Sequence, residues 1–160
     1  MITDMKNWKL YEWSVVLFFL IIPLAATLVD VYINSSNRLM VIAFKWFVFS
    51  GVGLRLGAAG IKQILSPEFT AKEIFNISDV RAVSVVRELG VANLCFSILA
   101  IISLFMDSFR IPAAVAGGLY FGLTGLLHVF KKKESNKEIF AMISDIYIFF
   151  VLSILLIFNL

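Results

Sequence analysis

The sequence predicts an all-α integral membrane bundle of about five transmembrane helices with one short interfacial amphipathic helix. Three observations predict it. Hydrophobic residues make up 61% of the 160 and charged residues only 16%, against about 45–50% and about 25% in soluble globular proteins. The apolar residues fall into runs of about 20, the length a helix needs to cross the hydrocarbon. The few charges gather between those runs, because a charge at the bilayer centre costs roughly 2.5–3.5 kcal/mol on insertion scales. A chain of this length is read as one domain, residues 1–160.

The first span is placed at about 13–33, and Pro23 inside it is expected to kink the helix. Lys6 and Lys9 ahead of it and Ala25-Ala26 near its end resemble a secretory signal, but the apolar stretch is long for one and is read as a span. Asn34-Ser35-Ser36-Asn37 makes a turn into the second span, about 39–65, which carries Lys45, Arg55 and Lys62. The segment at about 66–86 mixes Phe69, Ile74, Phe75 and Ile77 with Glu68, Lys72, Glu73, Asp79 and Arg81. That mixture reads as an amphipathic element lying at the interface. Ser78 is the expected cap of a helix running on into the third span, about 87–106. Asp107-Ser108 and Pro112 mark a tight turn into the fourth, about 111–130; proline in a helix's first turn sacrifices no hydrogen bond. The fifth is placed at about 139–160.

Orientation is expected from the Lys/Arg bias. With five spans, Lys6, Lys9, Lys62, Lys72, Arg81, Arg87, Lys131–Lys133 and Lys137 share one side, and only Arg38 and Arg110 take the other. The expectation is a multi-pass protein of the cell (inner) membrane, N-terminus cytoplasmic and C-terminus outside. Lys131-Lys132-Lys133 reads as a topogenic signal and a contact for anionic headgroups. Membrane lipids are the expected partners. Nucleic acid is not, because the basic residues lie at membrane edges.

Lipid gives helices no hydrophobic reason to associate, so small residues must let them approach. Gly53 and Gly57 in the second span, and Gly118 and Gly122 in the fourth, have GxxxG spacing. Contact between helices of one chain is the plainer reading, and a homo-oligomer contact stays open.

Ionisable and polar groups within spans are functional-site hypotheses by default. The candidates for a ligand or proton site are Arg55, Lys62, Glu88, Asn93, Thr124, His128 and Asp145. Arg55 and Lys62 are seven positions apart and share a helix face, as do Thr124 and His128, four apart. Lys62, Glu88, His128 and Asp145 are expected at similar depth in the cytoplasmic half. Glu88 is expected to find Arg55 or Lys62 as its partner. Two readings remain: an ion-pair and hydrogen-bond cluster that pins helix register, or a small polar pocket open to the cytoplasmic leaflet. The pocket would bind a lipid headgroup or quinone, or pass a proton through Glu88, His128 and Asp145.

The run Glu88-Leu89-Gly90-Val91-Ala92-Asn93, then Gly125-Leu126-Leu127-His128 and Asp145-Ile146, resembles an uncharacterised family of small bacterial and archaeal integral membrane proteins. That family is distantly similar to DoxX-like four-helix proteins. The resemblance runs from about Leu54 to the end and implies a fold and a location. Through its motifs it points to Glu88, Gly90, Asn93, His128 and Asp145. The chain departs from the pattern at Lys62, where the family often has histidine, and at Lys131–Lys137, where it has an Asn/Gly/Pro-rich loop. A ligand scheme built on two histidines is not expected.

No HExxH, P-loop or GxSxG stands in the sequence, so catalysis is not the favoured reading. Cys95 and His128, each the single residue of its kind, make neither a disulfide nor a metal centre. Cys95 reads as a small buried apolar side chain. No metal or other cofactor is expected. The open function classes are a lipid- or amphiphile-binding membrane protein, an accessory membrane subunit, a proton-coupled or ion carrier, and a membrane-embedded lipid-modifying enzyme.

Overall fold

The structure, a computed structural model, describes residues 10–35, 38–130 and 136–160. All the secondary structure among them is helical: α1 (Leu10–Asn34), α2 (Leu39–Leu65), a short α3 (residues 67–74), α4 (Ala82–Ile102), α5 (Arg110–Phe130) and α6 (Asn136–Ile157). Five of these helices are long and apolar enough to cross a membrane. Lys6, Lys9 and Lys131–Lys133, whose topogenic role is expected above, lie outside the described residues, as does the side chain of Lys137.

α2 is the central helix. Phe44, Phe47, Val48, Val52 and Leu56 along it are buried against Phe19 of α1, Ala100 of α4, Ala113 and Phe121 of α5, and Ile148 and Leu152 of α6. The outward faces carry Leu28, Leu119, Leu123, Phe150 and Ile154, exposed apolar side chains of the kind lipid solvates. Cys95 is also exposed, so it faces outward from α4 instead of filling the core.

Pro23 is accommodated by a wide turn in place of a simple kink. Leu17–Ile21 is π-helical, and the Ile22 N–H bonds back to the Leu17 carbonyl. In that register proline would have to donate to the Phe18 carbonyl, and it has no N–H. The Ser50 hydroxyl of α2 donates to that carbonyl instead, at 2.6 Å. α2 is itself π-helical there, over Val48–Leu54, immediately before Arg55. α1 ends on Ser35, left-handed at φ 45°, whose N–H caps the Val31 carbonyl.

The amphipathic element is shorter than the 66–86 expected. Pro67, Thr70, Ala71 and Ile74 are buried while Glu68 and Lys72 are exposed. Its helix stops where Asn76 turns left-handed at φ 55° and the Ile77 N–H closes on the Ala71 carbonyl. α4 then begins at Ala82, ahead of the expected residue 87, and Asp79, not Ser78, stands at its start. The Arg81 backbone N–H donates to Asp79 Oδ1 at 2.9 Å, and the Ala82 N–H to the Asp79 carbonyl at 3.0 Å. The Arg81 guanidinium, 2.7 Å from Oδ2, holds the Asp79 carboxyl below the usual carboxylate range. α4 also ends before the expected residue 106. The Ser103 hydroxyl donates to the Ala100 carbonyl and the following N–H groups tighten into three-residue turns.

The glycines bring helices of the same chain together. A Cβ on Gly57 would lie 2.6 Å from Ser97 Oγ of α4, and Ser97 Oγ donates to the Gly53 carbonyl at 2.7 Å. On Gly60 a Cβ would lie 2.7 Å from the Gly90 carbonyl oxygen, so α2 and α4 meet there nearly backbone to backbone. Gly122 meets the ring of Phe149 on α6 at 2.6 Å, whereas Gly118 would meet only Leu152 Cβ, at 4.0 Å. Gly60→Ala is therefore expected to destabilise the protein by about 1–3 kcal/mol, the usual cost of overpacking. Gly118→Ala should be neutral, or stabilising by up to about 1 kcal/mol through helix propensity. Thermal unfolding of both variants in detergent checks this. Equal shifts would contradict the packing.

Candidate functional site

The close approach of Gly60 and Gly90 sets two amides against each other one turn further on. Asn93 Nδ2 donates to Gln63 Oε1 at 2.7 Å, with both side chains buried. Beside them lies a cavity of about 440 Å³. Leu10 and Tyr11 reach it from the start of α1, Arg55 and Lys62 from the last turns of α2, and Leu89 and Asn93 from the first half of α4. Tyr120, Thr124 and His128 come from the second half of α5, Ala141 and Asp145 from the first half of α6, and Phe69 and Ile74 from α3. The starts of α1, α4 and α6 thus meet the ends of α2 and α5, so the five long helices alternate in direction and the cavity occupies one end of the bundle.

Arg55, Lys62, Asn93, Thr124, His128 and Asp145 line this cavity. Arg55 and Asn93 lie deeper than Lys62 and His128. Lys62 and His128 lie within a turn of their helix ends, at the rim. The segment Arg55–Leu65 has 11 residues, which at 1.5 Å per residue puts Arg55 roughly 15 Å inside. Asn93 stands midway along α4. The polar groups therefore descend as a column from the rim to the middle of the bundle. Glu88 is not among them. It is exposed on α4, and neither Arg55 nor Lys62 pairs with it. The cavity face of α4 is set by the Gly90–Asn93–Ser97 stripe packed on α2, and Glu88 lies off that stripe.

The Arg55 guanidinium rests on the rings of Tyr11 and Phe19, 5.2 and 5.9 Å from their centroids. Its Nε is buried without a hydrogen-bond partner, and so is Asn93 Oδ1. Lys62 Nζ sits over the Phe69 ring of α3 at 5.0 Å. Asp145 Oδ2 lies 3.2 Å from the Thr124 hydroxyl, which also reaches the Tyr120 and Phe121 carbonyls, at 2.9 and 3.1 Å. A hydroxyl has one proton to donate, so Asp145 shares that donor with the backbone. Arg55 and Asp145 face the same cavity but form no ion pair.

The other end of the bundle is built differently. Asp30 of α1 accepts from Lys45 and from Trp46 Nε1 (2.8 Å) of α2, and from Asn34 Nδ2 at 2.6 Å. Arg110 pairs with Asp107. Asp30 and Asp107 each hold a cation there, although Arg110 Nε is buried without a hydrogen-bond partner, and the interior between is filled by Phe44, Val48, Ile148 and Leu152. Among the described residues no three His, Cys, Asp or Glu side chains converge as metal ligands would.

Sequence reasoning missed Gln63, Tyr11 and Tyr120. Tyr120, Thr124 and His128 recur every four residues on one face of α5, a signal that would have found the tyrosine. Tyr11 stands at the very start of its helix, and nothing in its spacing marks it.

No curated protein and no solved structure matches the chain. A family model does, over residues 13–159, and on that match, which takes in all five long helices, the chain belongs to a family of unknown function, DUF6790.

Proposed function

We propose that this protein binds the head of a lipid or similar amphiphile in the cavity at the Lys62–His128 end of the bundle. The observation that carries this reading is the shape of the polar column. About 440 Å³ of space descends from the rim to Arg55 and Asn93 and is bounded by Leu56 and Phe121, which belong to the core that Phe44, Val48, Ile148 and Leu152 fill. A carrier needs water access from both sides, and that core closes one of them. A purely structural cluster would pair its charges, as Asp30 and Lys45 do. In the cavity a donor, Arg55 Nε, and an acceptor, Asn93 Oδ1, line the same space without partners, which a native interior rarely tolerates; at the other end Arg110 Nε is left so too.

We place the cavity at the cytoplasmic leaflet of an inner membrane, on the Lys/Arg bias. A reporter fused after Leu160 is then active only outside the cytoplasm, and activity inside would reverse the orientation. We further propose a distant likeness to DoxX-like proteins of bacteria and archaea, a reading of fold and location that supplies no ligand.

Native mass spectrometry of the full-length protein, released gently from membranes, tests the binding. The wild type is expected to retain an amphiphile. Ala59→Trp, which puts a large ring into the cavity wall, is expected to lose it. Equal retention by both would place the amphiphile elsewhere.

A further inference from the structure

We propose that the head this cavity selects carries a primary ammonium beside a phosphate, as an aminophospholipid does; the inference rests on the amphiphile-binding reading above. The buried end offers both signs of charge and both hydrogen-bonding roles, with capacity left over. Arg55 presents a donor, its Nε, without a partner, and Asn93 presents an acceptor, its Oδ1, without one. The Asp145 carboxylate has room for several donors, yet among the described residues only the Thr124 hydroxyl donates to it, at 3.2 Å. Arg55 and Asp145 line the same cavity and form no ion pair with each other. Lys62 adds a second cation nearer the rim, on the same face of α2 as Arg55.

Candidate heads can be sorted by what they leave unpaired. A purely anionic head meets Arg55 and Lys62 but sets its charge near Asp145 and offers that carboxylate no counter-charge. A choline head neutralises Asp145 but has no N–H for it or for Asn93 Oδ1. A neutral polyol supplies donors and no charge for Arg55. A primary ammonium gives N–H donors to Asp145 and Asn93, while its phosphate takes Arg55 and Lys62. Each partner left buried and unpaired weakens binding, and this head leaves the fewest.

Calorimetric titration of the full-length protein in detergent with dihexanoyl phosphatidylethanolamine, phosphatidylglycerol and phosphatidylcholine, and with soluble phosphoethanolamine, tests the inference. The ethanolamine lipid is expected to bind about tenfold tighter than the other two lipids and than phosphoethanolamine. Affinity should fall stepwise as the ammonium is methylated, a series that needs only the wild type. Asp145→Asn should erase the preference for ethanolamine over glycerol. Phosphatidylglycerol binding as tightly as phosphatidylethanolamine, and failing to bind Ala59→Trp, would overturn the head chemistry and leave the amphiphile reading standing. No binding of any lipid, or equal binding to Ala59→Trp, would overturn the amphiphile reading and this inference with it. Phosphoethanolamine binding as tightly as its lipid would support the ammonium–phosphate site and overturn the amphiphile as its source.

Discussion

Asp30→Ala is expected to destabilise the bundle by about 3 kcal/mol, the low end of the cost of breaking a buried ion pair from one side. Asp30 is 9% exposed and gathers three donors, from Lys45, Trp46 and Asn34. Its removal leaves the half-buried Lys45 ammonium without a counter-charge. Most of the loss comes from that stranded cation, because an intact buried pair adds little over well-packed apolar residues. Asp30→Leu combined with Lys45→Met should therefore recover to within about 1–2 kcal/mol of the wild type. Denaturant titration in mixed micelles reads both. A single-variant loss below about 1 kcal/mol would mean that water reaches Lys45.

Arg55→Met is expected to weaken binding of the cavity's amphiphile by about 30-fold. That is roughly 2 kcal/mol, the worth of a hydrogen bond to a charged group. Methionine keeps an apolar stem against Tyr11 and Phe19, so the fold should survive and binding should carry the effect. Arg55→Lys should restore only part of it, since an ammonium lacks the planar fork and stacks less well on the two rings. Titration with a short-chain phospholipid, alongside thermal unfolding, separates the two consequences. Unchanged affinity with a lowered melting temperature would make Arg55 a structural cation.

The architecture was legible because its cause is compositional. Apolar runs near 20 residues long, broken at Asn34–Asn37, at Ser66–Arg81 and at Asp107, leave a helical chain few other ways to fold. The limits of α4 were not legible. They are decided by Asp79 and Ser103, short polar side chains that bond the backbone locally, and an apolar run does not register them. The cavity residues were found where cost alone marks them, a charge or an amide within a span. Glu88 failed that rule because it lies near the start of α4, where the outward face is free to carry a charge. Residue type gave its cost in the membrane, but only packing against α2 gives its direction. Tyr11 and Gln63 failed the opposite way. Neither is costly enough to stand out, yet one cushions Arg55 and the other holds Asn93. The π-helical turns at Leu17–Ile21 and Val48–Leu54 were also invisible. They face each other where the Ser50 hydroxyl bonds the Phe18 carbonyl across two helices, and such turns are frequent at functional sites.

The central claim is that the space between Arg55, Asn93 and Asp145 belongs to a ligand. Electron density from crystals of the wild-type protein grown in a lipid phase tests it most directly. The account predicts continuous non-protein density running from the Lys62 rim down to Arg55 Nε and Asn93 Oδ1, with Arg55 and Asp145 held apart by it. A dry, closed interior with Arg55 and Asp145 paired directly would contradict it.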